Sequence, residues 1–139
     1  MSLTFPRKFA HGQKVGYVDV YGELFLWPEG NFQYMVHIRN RDPHNGGCVN
    51  VSFALLDEKQ ASLGAYGMPA SQAWCVAPWG ALRAGQRYDE LFGKVPEEKL
   101  TKTCAVALLF RPQDQELDAA CLPDLATAGS ELVFCPSPD

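Results

Sequence analysis

The chain has 139 residues and a mass of 15.4 kDa, which is the size of one domain with its own hydrophobic core. Hydrophobic residues make up 47% of it and charged residues 20%, and this balance excludes intrinsic disorder as the main state. Twelve basic and sixteen acidic residues give a formal net charge of -4, so we expect no nucleic-acid partner. No window approaches the roughly 18 apolar residues of a membrane span, and no membrane partner is expected.

The N-terminal half of the chain carries the clearest strand patterns. After an N-terminal arm at 1–13, apolar residues alternate over 17–26, where Gly22 interrupts the run in the way that is typical of a bulge. The same period of two returns over 32–40 and 48–56, and it predicts two strands that each bury one face. The residues expected to line the core are Phe32, Tyr34, Val36, Ile38, Val49, Val51, Phe53 and Leu55.

The segment between these two strands indicates how they pair. Residues 41–47 contain a proline, which breaks a strand ladder, and two consecutive glycines, which readily adopt a positive φ. We therefore expect an exposed loop that joins 32–40 and 48–56 as neighbouring antiparallel strands.

The elements of the second half are shorter. Residues 104–110 are apolar on both faces, which is typical of a central strand. Residues 96–100 place a proline before two acids and a lysine, an order that suits the helix dipole, and 113–122 could form a second short helix. Short strands are expected over 62–66, 73–77 and 132–135. The pattern predicts an all-β protein: an antiparallel β-sandwich of seven or eight strands with one or two helical turns over 14–135, followed by a tail at 136–139.

Three features of this pattern resemble bacterial immunoglobulin-like modules. They are the alternating strands at 32–40 and 48–56, the segment 76–85 before a late strand, and the helical turn that leads into 104–110. The resemblance covers about residues 14–112. It implies an immunoglobulin-like β-sandwich, a fold that hosts adhesion, carbohydrate binding, chaperoning and scaffolding.

The cysteines and the N-terminus bear on the compartment. The five cysteines are Cys48, Cys75, Cys104, Cys121 and Cys135, and no pair has the spacing of a zinc ribbon or a redox motif. We expect all five to be free thiols, as in a cytoplasmic protein. No apolar stretch follows the basic pair near the N-terminus, so no signal peptide is expected in this chain. The alternative is a secreted domain with one or two disulfide bridges and a spare thiol.

One small group of residues could carry chemistry. His37, His44 and Cys48 flank the loop at 41–47, and with Asp42 they offer ligand types that zinc accepts. The same residues could form a Cys–His nucleophile pair, which keeps a small metal- or thiol-dependent enzyme as an alternative. Because the register of the two flanking strands decides whether these residues meet, we assign no catalytic residue, no metal site and no cofactor.

The aromatic residues are the better candidates for function. Trp27, Tyr66, Trp79 and Tyr88 fall in or beside expected loops, where exposed rings can anchor a partner protein or stack on sugars. The sequence therefore predicts a non-enzymatic β-sandwich module that binds a protein partner or a second copy of itself through these four residues. The alternative ligand is a carbohydrate, bound by Trp79, Trp74 or Trp27 if these tryptophans are exposed.

Overall fold

The computed structural model of the chain describes residues 3–69, 71–78, 85–112 and 131–134, the last of these as backbone. Within these residues the chain forms nine strands and one helix of four residues. The elements are β1 (Arg7–Val15), β2 (Val18–Leu26), β3 (Asn31–Asn40), β4 (Gly47–Leu56), β5 (Ser62–Gly67), β6 (Trp74–Val76), β7 (Gln86–Lys94), α1 (Glu97–Leu100), β8 (Ala105–Pro112) and β9 (Glu131–Phe134).

The strands form two antiparallel sheets. The first sheet has the order β1-β2-β3-β7, and the second has the order β5-β4-β8-β9, with β6 pairing to β4 beyond the end of β5. All strand pairs are antiparallel. The expected all-β antiparallel sandwich is therefore confirmed, as is the short helical turn after Pro96.

The core lies between the two sheets, and the expected core residues are all buried. On β3, Tyr34 and Ile38 are fully buried, and on β4 Phe53 packs edge-on against the ring of Phe32 at 4.9 Å between centroids. The Tyr34 hydroxyl donates a hydrogen bond to the carbonyl oxygen of Ser52 at 3.1 Å, which links the sheets. Burial raises the pKa of Tyr34 well above its ordinary value, so this hydroxyl stays a donor.

The expected pairing of residues 32–40 with 48–56 is wrong. β3 pairs with β2 and β7, whereas β4 pairs with β5, β6 and β8, so the two strands lie in different sheets. The mostly exposed loop at 41–47 crosses from one sheet to the other, held at its start by Asn40, whose side chain donates to the carbonyl of Ala77 at 3.1 Å. A period of two states which face of a strand is buried, but it does not state which strand lies beside it.

The second correction concerns β4, which we expected to bury one face only. Asn50 and Ser52, on the face away from the core, are each 2% exposed. The Asn50 amide donates to the carbonyls of Pro69 and Gln72 at 2.7 and 2.9 Å. A second, smaller cluster of buried residues lies on this same face of β4 and β8: Ala54, Leu56, Ala105, Ala107 and Leu109. The expectation that β8 is a central strand buried on both faces is confirmed.

The third correction concerns the cysteines. Cys48 of β4 and Cys75 of β6 are directly opposite each other and form a disulfide with an S–S distance of 2.05 Å. The expectation that all five thiols are free is therefore wrong for this pair, because strand pairing brought together two cysteines whose spacing showed no motif. Cys104 is buried, and the other two cysteines lie outside the described residues. The expectation of a cytoplasmic protein rested on free thiols, and the disulfide removes that support.

Gly22 lies within β2 and forms no bulge, since the register of β2 with both neighbours is continuous. A Cβ atom at this position would come within 2.7 Å of the Phe110 ring, so the glycine allows the close approach of the sheets.

The arm expected at 1–13 includes most of β1, and the helix expected at 113–122 falls outside the described residues. In the described part of the chain, no helix is long and apolar enough to cross a membrane.

Candidate functional site

The outer face of the first sheet, turned away from the core, collects the most exposed aromatic side chains of the described chain. Alternation along each strand sends Val36 and Ile38 into the core and the residues between them outward. Antiparallel register then aligns the outward residues of three neighbouring strands into rows. We call this surface the aromatic face and define it by Tyr21, Glu23, Met35, His37, Tyr88, Glu90 and Phe92.

One row of this face consists of three rings. His37 on β3 lies opposite Tyr21 on one side and Tyr88 on the other. The rings of His37 and Tyr88 are parallel, with their centroids 4.0 Å apart. Tyr21 remains 47% exposed and Tyr88 75% exposed, so the row presents a large aromatic surface to solvent. Such rings bury a large area on binding and lose little conformational entropy.

The next row carries negative charge. Glu23, Met35 and Glu90 are aligned across β2, β3 and β7. The Glu23 carboxylate accepts a hydrogen bond from the Tyr21 hydroxyl at 3.2 Å and lies 3.6 Å from the Lys8 ammonium. No described residue pairs with the side chain of Glu90, which is exposed. The centre of the face therefore holds one carboxylate that is compensated and one that is not.

Phe92 closes the far end of the face, where it is 68% exposed. Together with the ring row and the carboxylate row it lines an open groove of about 730 Å³. At the opposite end the groove continues into a basic region with Lys14, Arg39 and Arg41, where Arg41 pairs with Asp19 at 3.2 Å. Along the strands, the surface thus passes from Phe92, through the acidic row and then the ring row, to the basic region.

The structure places only one of the four expected binding residues on this face, namely Tyr88. Trp27 lies just beyond the end of β2, where its half-buried ring stacks on Phe25 at 6.1 Å between centroids. Tyr66 is on β5 in the second sheet, packed against the core residue Phe53 at 5.8 Å, and its partial burial raises its pKa. The expectation for Trp79 falls on a residue outside the described ones. The three described residues, Trp27, Tyr66 and Tyr88, are not brought together into one site.

The residues considered for metal or thiol chemistry do not converge either. His37 lies on the outer face of the first sheet, while Cys48 lies on the outer face of the second and is disulfide-bonded. The Asp42 carboxylate organises its own loop, since it accepts hydrogen bonds from the backbone N–H groups of His44 and Asn45, each at 2.8 Å. These bonds lower the pKa of Asp42. Among the described residues there is no group of three or more His, Cys, Asp or Glu residues that could hold a metal ion.

The second tryptophan considered for sugar binding is not available as a platform. Trp74 is 9% exposed, and the guanidinium carbon of Arg87 lies 5.8 Å from the centroid of its ring. Arg87 itself pairs with Asp89 at 2.9 Å. Trp74 therefore belongs to the packing between β6 and β7 rather than to an open surface.

Comparison of the chain with protein-family models, with curated proteins and with solved structures gave no match.

Proposed function

We propose that this protein is a binding module and that it binds a protein partner through the aromatic face. The observation that carries the proposal is the exposure of three large rings, Tyr21, Tyr88 and Phe92, on one face of a sheet whose other face is the core. Exposed apolar surface of this kind costs free energy in water unless it is covered, and aromatic residues dominate the centres of protein interfaces. The sheet holds the rings in fixed positions, so little order is lost on binding.

The distribution of charge also favours a protein partner. Glu23 and Glu90 stand within the apolar groove, and the basic residues Lys14, Arg39 and Arg41 stand at its end. A partner with the complementary arrangement would bind in one orientation, because reversing it would oppose like charges. The buried position of Trp74 removes one of the three tryptophans on which the carbohydrate alternative depends.

The test is a selection from a displayed library of random peptides, run beside a glycan array with the same protein. We expect peptides that bind the wild-type chain and lose binding to a Tyr88→Ser, Phe92→Ser double variant. Tyr17→Ser is the matched control, since Tyr17 is 53% exposed but lies in the turn between β1 and β2. Glycans whose binding depends on the same two rings, with no peptide selected, would instead establish a carbohydrate-binding module.

We also propose that the domain works in an oxidising compartment. The support is the disulfide between Cys48 and Cys75, which sit opposite each other in paired strands. Disulfides of this kind persist in secreted and periplasmic proteins and are rare in reducing cytosol. Peptide mass mapping of the protein isolated from its natural source without reductant is expected to find the two cysteines in one cross-linked fragment. Free thiols at both positions would contradict the proposal.

We propose, third, that the domain is related to immunoglobulin-like sandwiches. The support is that β3 and β7 are neighbours in the first sheet while β4 and β8, which follow them after crossovers, are neighbours in the second. Strands B and E and strands C and F have the same relation in immunoglobulin domains. An experimental structure in which β7 does not pair with β3 would remove this support.

A further inference from the structure

The free edge of β7 has a backbone polarity that can be read from the bonds at its two ends. The Asn40 N–H donates to the Gly85 carbonyl at 2.6 Å, and the Val95 N–H donates to the Gly30 carbonyl at 2.9 Å. In an antiparallel ladder, hydrogen-bonded pairs alternate with pairs that are not hydrogen-bonded. The odd-numbered residues of β7 therefore bond to β3, and the N–H and C=O groups of Gln86, Tyr88, Glu90 and Phe92 point away from the sheet, where the Glu90 N–H donates to the Asp89 carboxylate at 3.0 Å.

The residues with outward backbone groups are also the residues with outward side chains. Tyr88 and Phe92 of the aromatic face are the two most exposed large hydrophobic residues of the described chain, and both lie on this edge strand. The His37 ring covers one face of the Tyr88 ring, which leaves the opposite face turned toward the free edge. Within the described residues, β7 pairs only with β3. The edge thus offers backbone bonds and apolar contact at the same positions.

The other edge of the same sheet is built differently. The outward-facing positions of β1 include Lys8 and Lys14, both exposed, and no aromatic residue. Lysine on an edge strand is a common way in which proteins prevent unwanted strand pairing. On β7 the corresponding positions carry Tyr88 and Phe92 with Glu90 between them, and a lysine, Lys94, only as the last residue of the strand. The outward positions of β7 thus carry exposed rings that a partner strand can cover, and those of β1 do not.

We propose that β7 accepts an extended segment of a partner protein as a fifth strand of the first sheet, with a lysine or arginine of the partner opposite Glu90. The proposal rests on the protein-binding function proposed above and names the partner's chemistry. Glu90 has no partner among the described side chains, so a cation directly across from it would form a cross-strand ion pair. Apolar residues two positions before and after that cation would cover Tyr88 and Phe92.

A second copy of this chain is a poorer occupant of the edge. An antiparallel pair of β7 strands that sets Tyr88 against Phe92 also sets Glu90 against the Glu90 of the other copy. Like charges directly opposite each other destabilise a strand pair. In the register that covers both rings, the charge on this edge therefore favours a cationic strand from another protein over self-pairing.

The test uses two synthetic peptides in which valine alternates with threonine and the central valine is replaced by lysine in one and by glutamate in the other. Fluorescence anisotropy at low salt is expected to show that the lysine peptide binds the wild-type chain about fivefold or more tightly than the glutamate peptide. In the Glu90→Lys variant we expect the preference to reverse. A lysine peptide with N-methyl groups on the amides that face β7 is expected not to bind, while N-methylation of the other amides is expected to leave binding unchanged.

Amide hydrogen exchange separates strand addition from docking on the face alone. On binding, the amides of Tyr88 and Phe92 should gain protection, whereas the Glu90 amide is already bonded to the Asp89 carboxylate and those of Arg87, Asp89 and Leu91 are already bonded to β3. No gain at the amides of Tyr88 and Phe92, or equal binding of both peptides, would overturn strand addition, even where loss of binding in the Tyr88→Ser, Phe92→Ser variant upholds the proposed function. A wild-type chain that sediments as a dimer, and becomes monomeric in the Glu90→Lys variant or in the double variant, would assign the edge to a second copy and also overturn it.

Discussion

The outer faces of the two sheets differ in how exposed their residues are to solvent. In the first sheet, the outward residues Tyr88 and Phe92 are mostly exposed. In the second, the outward residues Asn50, Ser52 and Leu109 are buried, so β4 and β8 have no exposed face. In the second sheet, both faces of β4 and β8 therefore contribute to stability. The first sheet contributes to the core through one face only, and its other face is accessible to a partner.

The largest contrast is expected between two phenylalanines. Phe53 of β4 is fully buried against Phe32, Tyr34 and Tyr66, and its replacement by alanine should lower the free energy of unfolding by about 4 kcal/mol. Phe92→Ala, on the exposed face of β7, should change it by no more than about 0.5 kcal/mol. Urea denaturation of both variants measures the difference. Similar losses would mean that Phe92 is a core residue and that the aromatic face is not free.

The disulfide on the outer face of the second sheet should have the next largest effect. It joins residues 27 positions apart, and closing a loop of that length restricts the unfolded chain by an amount worth about 3.5 kcal/mol. We therefore expect the Cys48→Ser, Cys75→Ser variant to be destabilised by about that amount relative to the oxidised wild type. The reduced wild type serves as the control, and its stability should approach that of the double variant. A double variant as stable as the oxidised protein would contradict the bridge.

Two side-chain amides, those of Asn50 and Gln33, extend the comparison between the outer faces. Asn50→Ala removes the donor to the carbonyls of Pro69 and Gln72 and leaves both acceptors unsatisfied, which should cost about 2 kcal/mol. Gln33→Ala, on the outer face of β3, should cost about 0.5 kcal/mol or less. Chemical denaturation compares the two. If the losses were equal, the outer faces of the two sheets would not differ in the way described.

The smallest effect is expected in the loop that connects the sheets, and it depends on pH. The backbone N–H groups of His44 and Asn45 lower the pKa of Asp42 below its ordinary value of 3.8. A carboxyl group whose pKa is lower in the folded state stabilises the fold above its unfolded pKa and loses that contribution as the pH falls through the folded value. The stability difference between the wild type and Asp42→Ala should therefore be constant near neutral pH and shrink below about pH 4. A difference that grows on acidification would reverse the assigned shift.

The sequence was sufficient to predict the residues of β3 and β4 that face the core between the sheets, because a strand with one side in the core repeats with a period of two. It was not sufficient to predict their neighbours. Residues 32–40 and 48–56 have the alternation of a hairpin, yet a crossover sends them to separate sheets. The loop length allows both outcomes, and in the structure β7 pairs with β3 while β8 pairs with β4.

The aromatic face was missed for a related reason. Over Gln86–Lys94 the exposed residues Tyr88, Glu90 and Phe92 alternate with half-buried ones, but the core-facing side of β7 carries Arg87 and Asp89 beside one large apolar residue, Leu91. The hydrophobic period is therefore weak, and the two aromatic residues, four positions apart, do not mark a strand. Tyr88 was identified for its aromatic ring, while its neighbours in the row, Tyr21 and His37, come together only through the register of three strands.

The two crossovers have a consequence for how the chain acquires its structure. β1, β2 and β3 are joined by short turns and can pair as soon as they are made, whereas Arg39 with Gln86 and Leu56 with Ala105 are partners about fifty positions apart in the chain. Such distant pairings lose loop-closure entropy before the strand contacts that compensate for it can form. All-β domains of this kind therefore fold in milliseconds to seconds. Until β7 pairs with β3, the edge of the growing first sheet is β3. β7, the strand proposed to bind a partner in the native protein, must therefore first pair with β3 during folding.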